Sequence, residues 1–169
     1  LRDKQLSDAE LLVRAQTLRR LTRKANRLFI LNDRVDMALA ADADGVHLGQ
    51  DDMPVSMARR LLGPNALIGV STHAIDQARA AVLNGANYLG CGPTFPSRTK
   101  SFENFSGLEY LQQVATEITL PAFAIGGIDC DNVAEVLAVG FQRVAVSDTV
   151  LSAPDPPSAA ATLASRLRV

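Results

Sequence analysis

The sequence lacks an excess of either charge, and this absence excludes several partner classes. Seventeen lysine and arginine residues balance eighteen aspartate and glutamate residues, for a formal net charge of −1. The chain therefore has neither the basic face of a nucleic-acid-binding protein nor an acidic tail. Any bound anion must be held by a few placed groups.

Cysteine is also scarce. Cys91 and Cys130 stand far apart without CxxC spacing. This pattern argues against a zinc site or a disulfide framework, and it favours reduced cytosolic thiols.

Long apolar runs are missing as well. No stretch approaches the roughly 20 residues of a membrane span, so we expect no membrane partner. Three of the first four residues, from Leu1 to Lys4, are charged, and they lead straight into a helix, which is unlike a signal peptide. We therefore predict a cytoplasmic protein. The chain opens on Leu1 in mid-pattern, as expected of a fragment, a processed form or part of a longer polypeptide.

Two catalytic signatures are absent. No GxGxxG follows the early strands, which weakens a dinucleotide-binding interpretation. Neither His47 nor His73 has a serine or cysteine at a recognisable nucleophile spacing, which disfavours triad chemistry. A histidine inside a strand, such as His47, is more often a packed residue than a catalytic one.

What the sequence does contain is a regular alternation of short apolar runs and helical patterns. Ser7 and Glu10 form a capping box that predicts a helix through about Lys24. Six further strand–helix pairs follow. The predicted strands span 28–31, 45–48, 67–70, 88–91, 122–125 and 143–146, and the predicted helices span 34–42, 54–62, 74–83, 107–116, 131–138 and 157–167.

This alternation predicts the α/β class, with a parallel sheet covered by helices. The strands are continuously apolar, as expected of strands buried on both faces. A doubly wound open sheet and a (β/α)₈ barrel both satisfy the pattern. The length of 169 residues predicts a single domain over 1–169.

The polar residues cluster just after the strand ends. Parallel strands end on the same side, so we expect these residues to converge on one rim, where the active sites of barrels lie. They are Asn32-Asp33, Gln50-Asp51-Asp52, Ser71, Thr99-Lys100, Gly126-Gly127 and Ser147-Asp148.

Asp33 and Asp52 follow neighbouring strands. Two carboxylates on adjacent loops suit Mg²⁺, which combines one or two carboxylates with substrate phosphate oxygens. Helix capping is an equally ordinary role for these aspartates. Asp51 is interpreted as a solvated neighbour.

Three other segments have two interpretations each. Gly126-Gly127 suits a phosphate cradle or a tight turn. The long 92–106 loop offers Ser97, Thr99 and Lys100 to phosphates, or it is a surface lid, and its length favours function. Arg2 and Lys4 share one side of a strand end, or they are frayed terminal charges.

Taken together, these segments resemble the thiamine phosphate synthase family. The resemblance runs in order from Leu1 to about Pro156, and its specificity comes from the joint match of several long motifs. The matching stretches are Leu1–Lys4, Ile30–Asp36, Ala43–Asp52, Ile68–His73, Gly92–Lys100 and Ala124–Ile128.

The resemblance implies a (β/α)₈ TIM barrel, with the first βα unit and most of strand 2 lacking in this chain. It implies a transferase that joins 4-amino-2-methyl-5-(diphosphooxymethyl)pyrimidine to a thiazole phosphate, giving thiamine phosphate and diphosphate. The substrates would be these two small molecules, and a homo-oligomer is left open.

The resemblance also assigns residues. Asp33 and Asp52 would bind Mg²⁺, and His47 and Gly49 would border the pyrimidine. The diphosphate would be held by Arg2, Lys4, Asn32, Ser71 and Lys100, of which Asn32, Ser71 and Lys100 are the catalytic candidates. The thiazole phosphate would be held by Ser97, Thr99, Gly127, Ser147 and Asp148.

The chain departs from the family pattern where a small apolar residue and a serine are expected and Ser147 and Asp148 stand. Two alternative functions remain open.

A thiazole tautomerase-like isomerase of the same fold would have a histidine at the position of Pro93 and would lack the paired aspartates. A non-catalytic ligand-binding remnant of the fold would bind without turnover.

Overall fold

A computed structural model of the chain describes residues 1–96 and 105–167. Six parallel strands alternate with helices, in agreement with the predicted α/β class. The strands are β1 (Ile30–Asn32), β2 (Gly45–Leu48), β3 (Leu67–Thr72), β4 (Tyr88–Cys91), β5 (Ala122–Ile125) and β6 (Val144–Ala145). The helices are α1 (Asp8–Lys24), α2 (Val35–Ala40), α3 (Val55–Leu62), α4 (Ile75–Leu83), α5 (Gly107–Glu117), α6 (Val133–Ala138), α7 (Asp148–Leu151) and α8 (Pro156–Arg166).

The first helix begins where the capping box predicted. The Ser7 hydroxyl accepts a hydrogen bond from the Glu10 backbone N–H, and the Glu10 carboxylate accepts one from the Ser7 N–H at 3.0 Å. Two N–H groups that the helix leaves unpaired are satisfied in this way.

The chain divides into two compact units. The first unit comprises Leu1–Ser71 and Ala81–Tyr88, and the second comprises Thr72–Ala80 and Leu89–Val169. In the first unit β1 pairs with β2, and β2 pairs with β3, both in parallel. In the second unit β5 pairs in parallel with β4 on one side and with β6 on the other.

The core of the first unit consists of apolar side chains from its strands and covering helices. Each fully buried aliphatic side chain stabilises the fold by about 1.5–3 kcal/mol. This cluster comprises Ala15, Phe29, Leu31, Val35, Ala38, Ala41, Val46, Leu48, Ala58 and Ile68.

The backbone of Leu1 extends the first unit beyond β1. The Leu1 nitrogen donates to the Ile30 carbonyl oxygen at 2.8 Å, and the Asn32 N–H donates to the Leu1 carbonyl oxygen at 3.0 Å. Leu1 therefore lies beside β1 in the manner of a parallel strand. This contact brings Arg2 and Lys4, which follow it, to the C-terminal end of β1.

Arg59 bridges the segments that precede β3 and β4. Its guanidinium donates to the carbonyl oxygens of Gly63 and Ala66 and to the side-chain oxygen of Asn87, the last at 2.6 Å. The same Asn87 oxygen accepts from the Ile68 N–H of β3 at 2.8 Å. One arginine thus satisfies oxygens that regular secondary structure leaves unpaired.

Among the helices of the described ranges, none is long and apolar enough to cross a membrane.

Candidate functional site

Asp33 stands directly after β1 in an unusual backbone conformation. Its φ of +65° is in the left-handed region. Asn26 and Asp42 share this conformation, but they follow helices, where a left-handed residue is ordinary. Aspartate adopts this region more readily than most residues, but a left-handed non-glycine residue at a strand end is uncommon, and such residues cluster at functional sites.

The Asp33 carboxylate has polar partners on both oxygens. The Lys4 Nζ lies 3.2 Å from Oδ2, and the side-chain amide of Asn32 donates to Oδ1. Asp33 is about one quarter exposed, whereas Lys4 is largely exposed. Lys4 therefore forms an ion pair with Asp33 at the end of β1, and this contact favours the interpretation of Lys4 as part of a site over that of a frayed terminal charge.

Asp52 contacts the residue that follows β2, close in sequence to the β2 residue that Asp33 contacts. The Asp33 N–H donates to the His47 carbonyl oxygen at 2.8 Å, and the Asp52 Oδ2 accepts from the Gly49 N–H at 2.6 Å. The two backbone groups that bind these aspartates, on His47 and Gly49, are thus only two residues apart along the chain. The remaining lone pairs of both carboxylates can accept further ligands.

His47 and Ser71 form a pair that the sequence spacing did not reveal. The His47 Nε2 lies 2.9 Å from the Ser71 Oγ, and Nδ1 lies 3.1 Å from the Tyr88 hydroxyl. Ser71 lies within β3 rather than after it, since the strand continues to Thr72. Gln50 secures this end of β3 by donating from Nε2 to the Ser71 carbonyl oxygen at 2.7 Å.

Mg²⁺ is the metal that the sequence predicts here. In the described part of the chain, no three His, Cys, Asp or Glu residues gather closely enough to hold a metal by themselves. Two carboxylates nevertheless fit a hard cation that takes its other ligands from phosphate oxygens and water. The donor set therefore fits Mg²⁺ bound together with a phosphorylated ligand, and it does not fit a soft metal.

The second unit contains a cavity of about 420 Å³. Its wall comes from the ends of β5 and β6 and from the segments that follow them. The lining residues are Pro96, Ile125, Gly126, Gly127, Ile128, Asp129, Ala145, Val146, Ser147, Asp148 and Thr149. Three residues of the predicted second phosphate site, Gly127, Ser147 and Asp148, are thus brought together.

Glycine is required at two positions of this cavity, because the backbone has a positive φ there and because neighbouring atoms leave no room for a Cβ. Gly126 and Gly127 have φ values of +98° and +64°. A Cβ at Gly127 would overlap the carbonyl oxygen of Pro96 and would lie 2.8 Å from that of Phe95. The tight-turn interpretation is therefore correct, and it is compatible with a phosphate cradle.

Asp148 begins the short helix α7, which the sequence did not predict. Its Oδ1 accepts a hydrogen bond from the Ser152 hydroxyl at 2.7 Å, so the carboxylate is engaged within its own helix. Ser147 precedes it and is exposed. The predicted ligands Ser97, Thr99 and Lys100 lie outside the described residues.

Sequence reasoning missed three residues of these two sites. Tyr88 of β4 contacts His47 of β2, and no local spacing in the sequence indicates this contact. Asp129 and Thr149 line the cavity, and Thr149 donates its hydroxyl proton to the Ile128 carbonyl oxygen at 2.7 Å. The position of Asp129 directly after Gly126-Gly127-Ile128 was the one available signal.

Comparisons with known proteins show the family to which the chain belongs. The family model described as thiamine monophosphate synthase matches residues 1–150. The thiamine-phosphate synthase of Synechococcus sp. (strain CC9311) is 48% identical over 162 residues, covering 96% of this chain and 46% of that protein. The thiamine-phosphate synthase of Halalkalibacterium halodurans is 46% identical over 158 residues, covering 92% of this chain and 74% of that protein.

A solved structure gives the same result. The thiamine phosphate pyrophosphorylase from Pyrococcus furiosus superposes with a TM-score of 0.88 at 39% identity, covering 99% of this chain and 82% of the other. The chain spans about half the length of the first curated relatives that it matches. On the family match and these identities, the chain belongs to the thiamine monophosphate synthase family.

Proposed function

We propose that the complete polypeptide condenses 4-amino-2-methyl-5-(diphosphooxymethyl)pyrimidine with a thiazole phosphate, releasing thiamine phosphate and diphosphate. Membership of the family supports this activity. The observation that carries it is the left-handed Asp33, which pairs with Lys4 and donates from its N–H to the His47 carbonyl oxygen, two residues before the Gly49 N–H that donates to Asp52. A cation and two carboxylates that follow neighbouring strands suit a metal-bound diphosphate.

On this proposal, Asp33 and Asp52 hold Mg²⁺, which when bound neutralises charge on the diphosphate. Arg2, Lys4, Asn32, Ser71 and Lys100 hold the diphosphate oxygens. Lys4 already lies at the Asp33 carboxylate, and the Asn32 amide lies beside it. Cationic and hydroxyl donors of this kind stabilise the negative charge that develops on the leaving group.

The reaction needs no protein nucleophile. The aminopyrimidine stabilises a benzylic-type cation, so the bond from its methylene carbon to the diphosphate oxygen breaks first. The thiazole nitrogen then donates its electron pair to that carbon. Asn32, Ser71 and Lys100 act as catalytic donors to the departing diphosphate, while His47 and Gly49 border the pyrimidine.

The cavity of the second unit is proposed to take the thiazole phosphate. Its ligands would be Gly127, Ser147 and the segment at Asp148, together with Ser97 and Thr99. A carboxylate beside a phosphate is repulsive, and the bond from Ser152 engages Asp148 within α7. Ser147 therefore takes the hydroxyl role in this proposal.

The finer features of the fold and setting are proposals of the same kind. We propose that the six parallel strands are six of the eight strands of a (β/α)₈ barrel, and that residues 1–169 form one domain. The balanced charge supports small-molecule substrates rather than nucleic acid. A cytoplasmic location and a homo-oligomer complete the proposal.

The test is to incubate the complete polypeptide with both substrates and Mg²⁺ and to measure thiamine phosphate and diphosphate. We expect product with Mg²⁺ and none when a chelator is added. Isomerisation of the thiazole phosphate in the absence of the pyrimidine would indicate a tautomerase. Binding of both substrates by a folded protein without product would indicate a non-catalytic remnant, and either result would overturn the synthase proposal.

A further inference from the structure

His47 lies between two hydroxyl groups in the first unit. Its Nδ1 is 3.1 Å from the Tyr88 hydroxyl, and its Nε2 is 2.9 Å from the Ser71 Oγ. The imidazole and phenol rings are tilted by 38° with their centres 5.4 Å apart. The three side chains therefore form a continuous polar chain that ends on Ser71.

The backbone of β3 makes room for this arrangement. In the β2–β3 register, His47 stands opposite Gly69. A Cβ at position 69 would overlap the ring of Tyr88 and its hydroxyl oxygen. Because the strand neighbour of His47 has no side chain, the phenol can reach the imidazole.

The polarity of the chain depends on one proton. A neutral imidazole has a single N–H, so one ring nitrogen donates and the other accepts. If Nδ1 accepts from Tyr88, Nε2–H donates to the Ser71 oxygen, and the Ser71 proton is available to a ligand. If Nδ1–H donates to Tyr88, Nε2 accepts the Ser71 proton, and Ser71 has none left for a ligand.

The environment of Tyr88 favours the first polarity. A tyrosine keeps its phenol proton at neutral pH, and burial raises the pKa of Tyr88 further, to about 12. A neutral phenol is a better donor than acceptor, because its oxygen lone pair is delocalised into the ring, and a buried tyrosine O–H usually finds an acceptor. The Nδ1 of His47 lies within hydrogen-bonding distance for that role.

We propose that Tyr88 is a positioning residue that fixes His47 as its Nε2–H tautomer, so that the Ser71 hydroxyl proton points away from the imidazole and donates to an anionic phosphate oxygen. This inference rests on the proposed function for its ligand, the diphosphate of the pyrimidine substrate. The tautomer itself is independent of that function.

The opposite polarity has a different chemical meaning. A Ser71 proton shared with Nε2 would make Ser71 and His47 a nucleophile–base pair of the kind found in acyl-transfer enzymes. The same three side chains thus support either a phosphate donor or an activated nucleophile. The position of one proton distinguishes the two.

The experiment measures that proton by NMR on the complete protein labelled with ¹⁵N-histidine. The chain contains two histidines, His47 and His73, so the spectrum of this segment is simple, and the His47→Gln variant assigns the signals. We expect a protonated Nε2 and an unprotonated Nδ1 for the neutral His47. A protonated Nδ1 would overturn the proposal and indicate the nucleophile polarity.

The Tyr88→Phe variant tests whether the phenol sets the tautomer. We expect the Nε2–H preference of His47 to fall and kcat for thiamine phosphate formation to drop about tenfold, in the range seen when an orienting partner is lost. Tyr110→Phe is the matched control. It removes a buried phenol hydroxyl that donates to Thr72 Oγ1 at 2.6 Å in the second unit, so the His47 signals should not change.

The outcomes separate the two proposals. An unchanged Nε2–H preference in Tyr88→Phe would remove Tyr88 from this role. If that variant unfolds, the wild-type tautomer still decides the polarity. If the wild-type protein has the Nε2–H tautomer but forms no thiamine phosphate, the proposed function fails while the assignment of the chain's polarity stands.

Discussion

The Asp52 carboxylate accepts a hydrogen bond from the Gly49 N–H at 2.6 Å, which folds the loop after β2 back onto the strand end. An asparagine can keep this contact because its side-chain oxygen is also an acceptor. The role of the negative charge can therefore be separated from the role of the loop.

We predict that Asp52→Asn keeps the fold and loses Mg²⁺-dependent turnover about a hundredfold or more, the scale of losing one electrostatic contact in a transition state. The rate of thiamine phosphate formation at varied Mg²⁺ measures the effect. Asp51→Asn, at an exposed neighbouring position, is the matched control and should retain activity. Wild-type rates from Asp52→Asn would remove Asp52 from the metal site.

Lys4→Met tests the cation that pairs with Asp33. The Lys4 side chain is 64% exposed, and exposed ion pairs contribute about 0–1 kcal/mol, so stability to urea should hardly change. We expect the KM for the pyrimidine diphosphate to rise about tenfold, because a charge-assisted hydrogen bond to the substrate is lost.

Arg23→Met is the control for the Lys4 variant. Arg23 also forms an exposed ion pair, with Asp42 at 2.7 Å, but on the surface between α1 and the end of α2. It should change neither stability nor KM appreciably. If the two variants have the same KM for the pyrimidine diphosphate, Lys4 does not contact this substrate and is only a surface ion-pair residue.

Gly127→Ala tests the cavity of the second unit. A left-handed alanine costs about 1–2 kcal/mol, and overlap with the Pro96 carbonyl adds to this cost. Gly85→Ala shares a positive φ of +86° but meets no atom within 4 Å, so it isolates the conformational cost. Urea denaturation should show the larger loss for Gly127→Ala.

The kinetic effect of Gly127→Ala should be confined to one substrate. We expect a higher KM for the thiazole phosphate and an unchanged KM for the pyrimidine diphosphate. A rise in both would contradict the assignment of this cavity to the thiazole phosphate.

Alkaline pH should destabilise the protein through its two tyrosines. Burial raises the pKa of Tyr88 to about 12 and raises the pKa of Tyr110 as well. In the unfolded chain tyrosine ionises near pH 10. The stabilisation is therefore fully present below about pH 10 and is lost as the pH rises through the folded-state values.

Urea unfolding at a series of pH values measures this dependence. The free energy of unfolding should fall above about pH 10. Tyr110→Phe should be less stable at neutral pH, because Thr72 Oγ1 loses the hydrogen bond that the Tyr110 hydroxyl donates, but its stability should fall less steeply with pH. An identical slope in both proteins would mean that Tyr110 does not contribute.

The sequence predicted those features that depend on local chemistry. The bounds of β2, β4 and β5 and the capping box at Ser7 are confirmed, because apolar runs and cap residues act within a few positions. Helix α7 was missed, since four residues carry no helical period. The third strand was predicted to end at Val70 but continues to Thr72, because its pairing with neighbouring strands decides its length.

The same distinction applies to the candidate site. Asp33 and Asp52 were identified because carboxylates after neighbouring strands are visible in the sequence. The contact of His47 with Ser71 spans 24 residues and depends on strand register, which no local pattern encodes. Tyr88 was missed for the same reason, because its contact with His47 spans a still longer stretch of chain.

Gly69 has a consequence for engineering this protein. Any side chain at position 69 would occupy the volume of the Tyr88 ring, so a mutagenesis library that varies position 69 alone samples mostly combinations with a steric clash. A larger residue at position 69 becomes acceptable only together with a smaller one at position 88. Designs that replace the glycine should therefore vary the tyrosine with it, whereas the tyrosine can be varied alone.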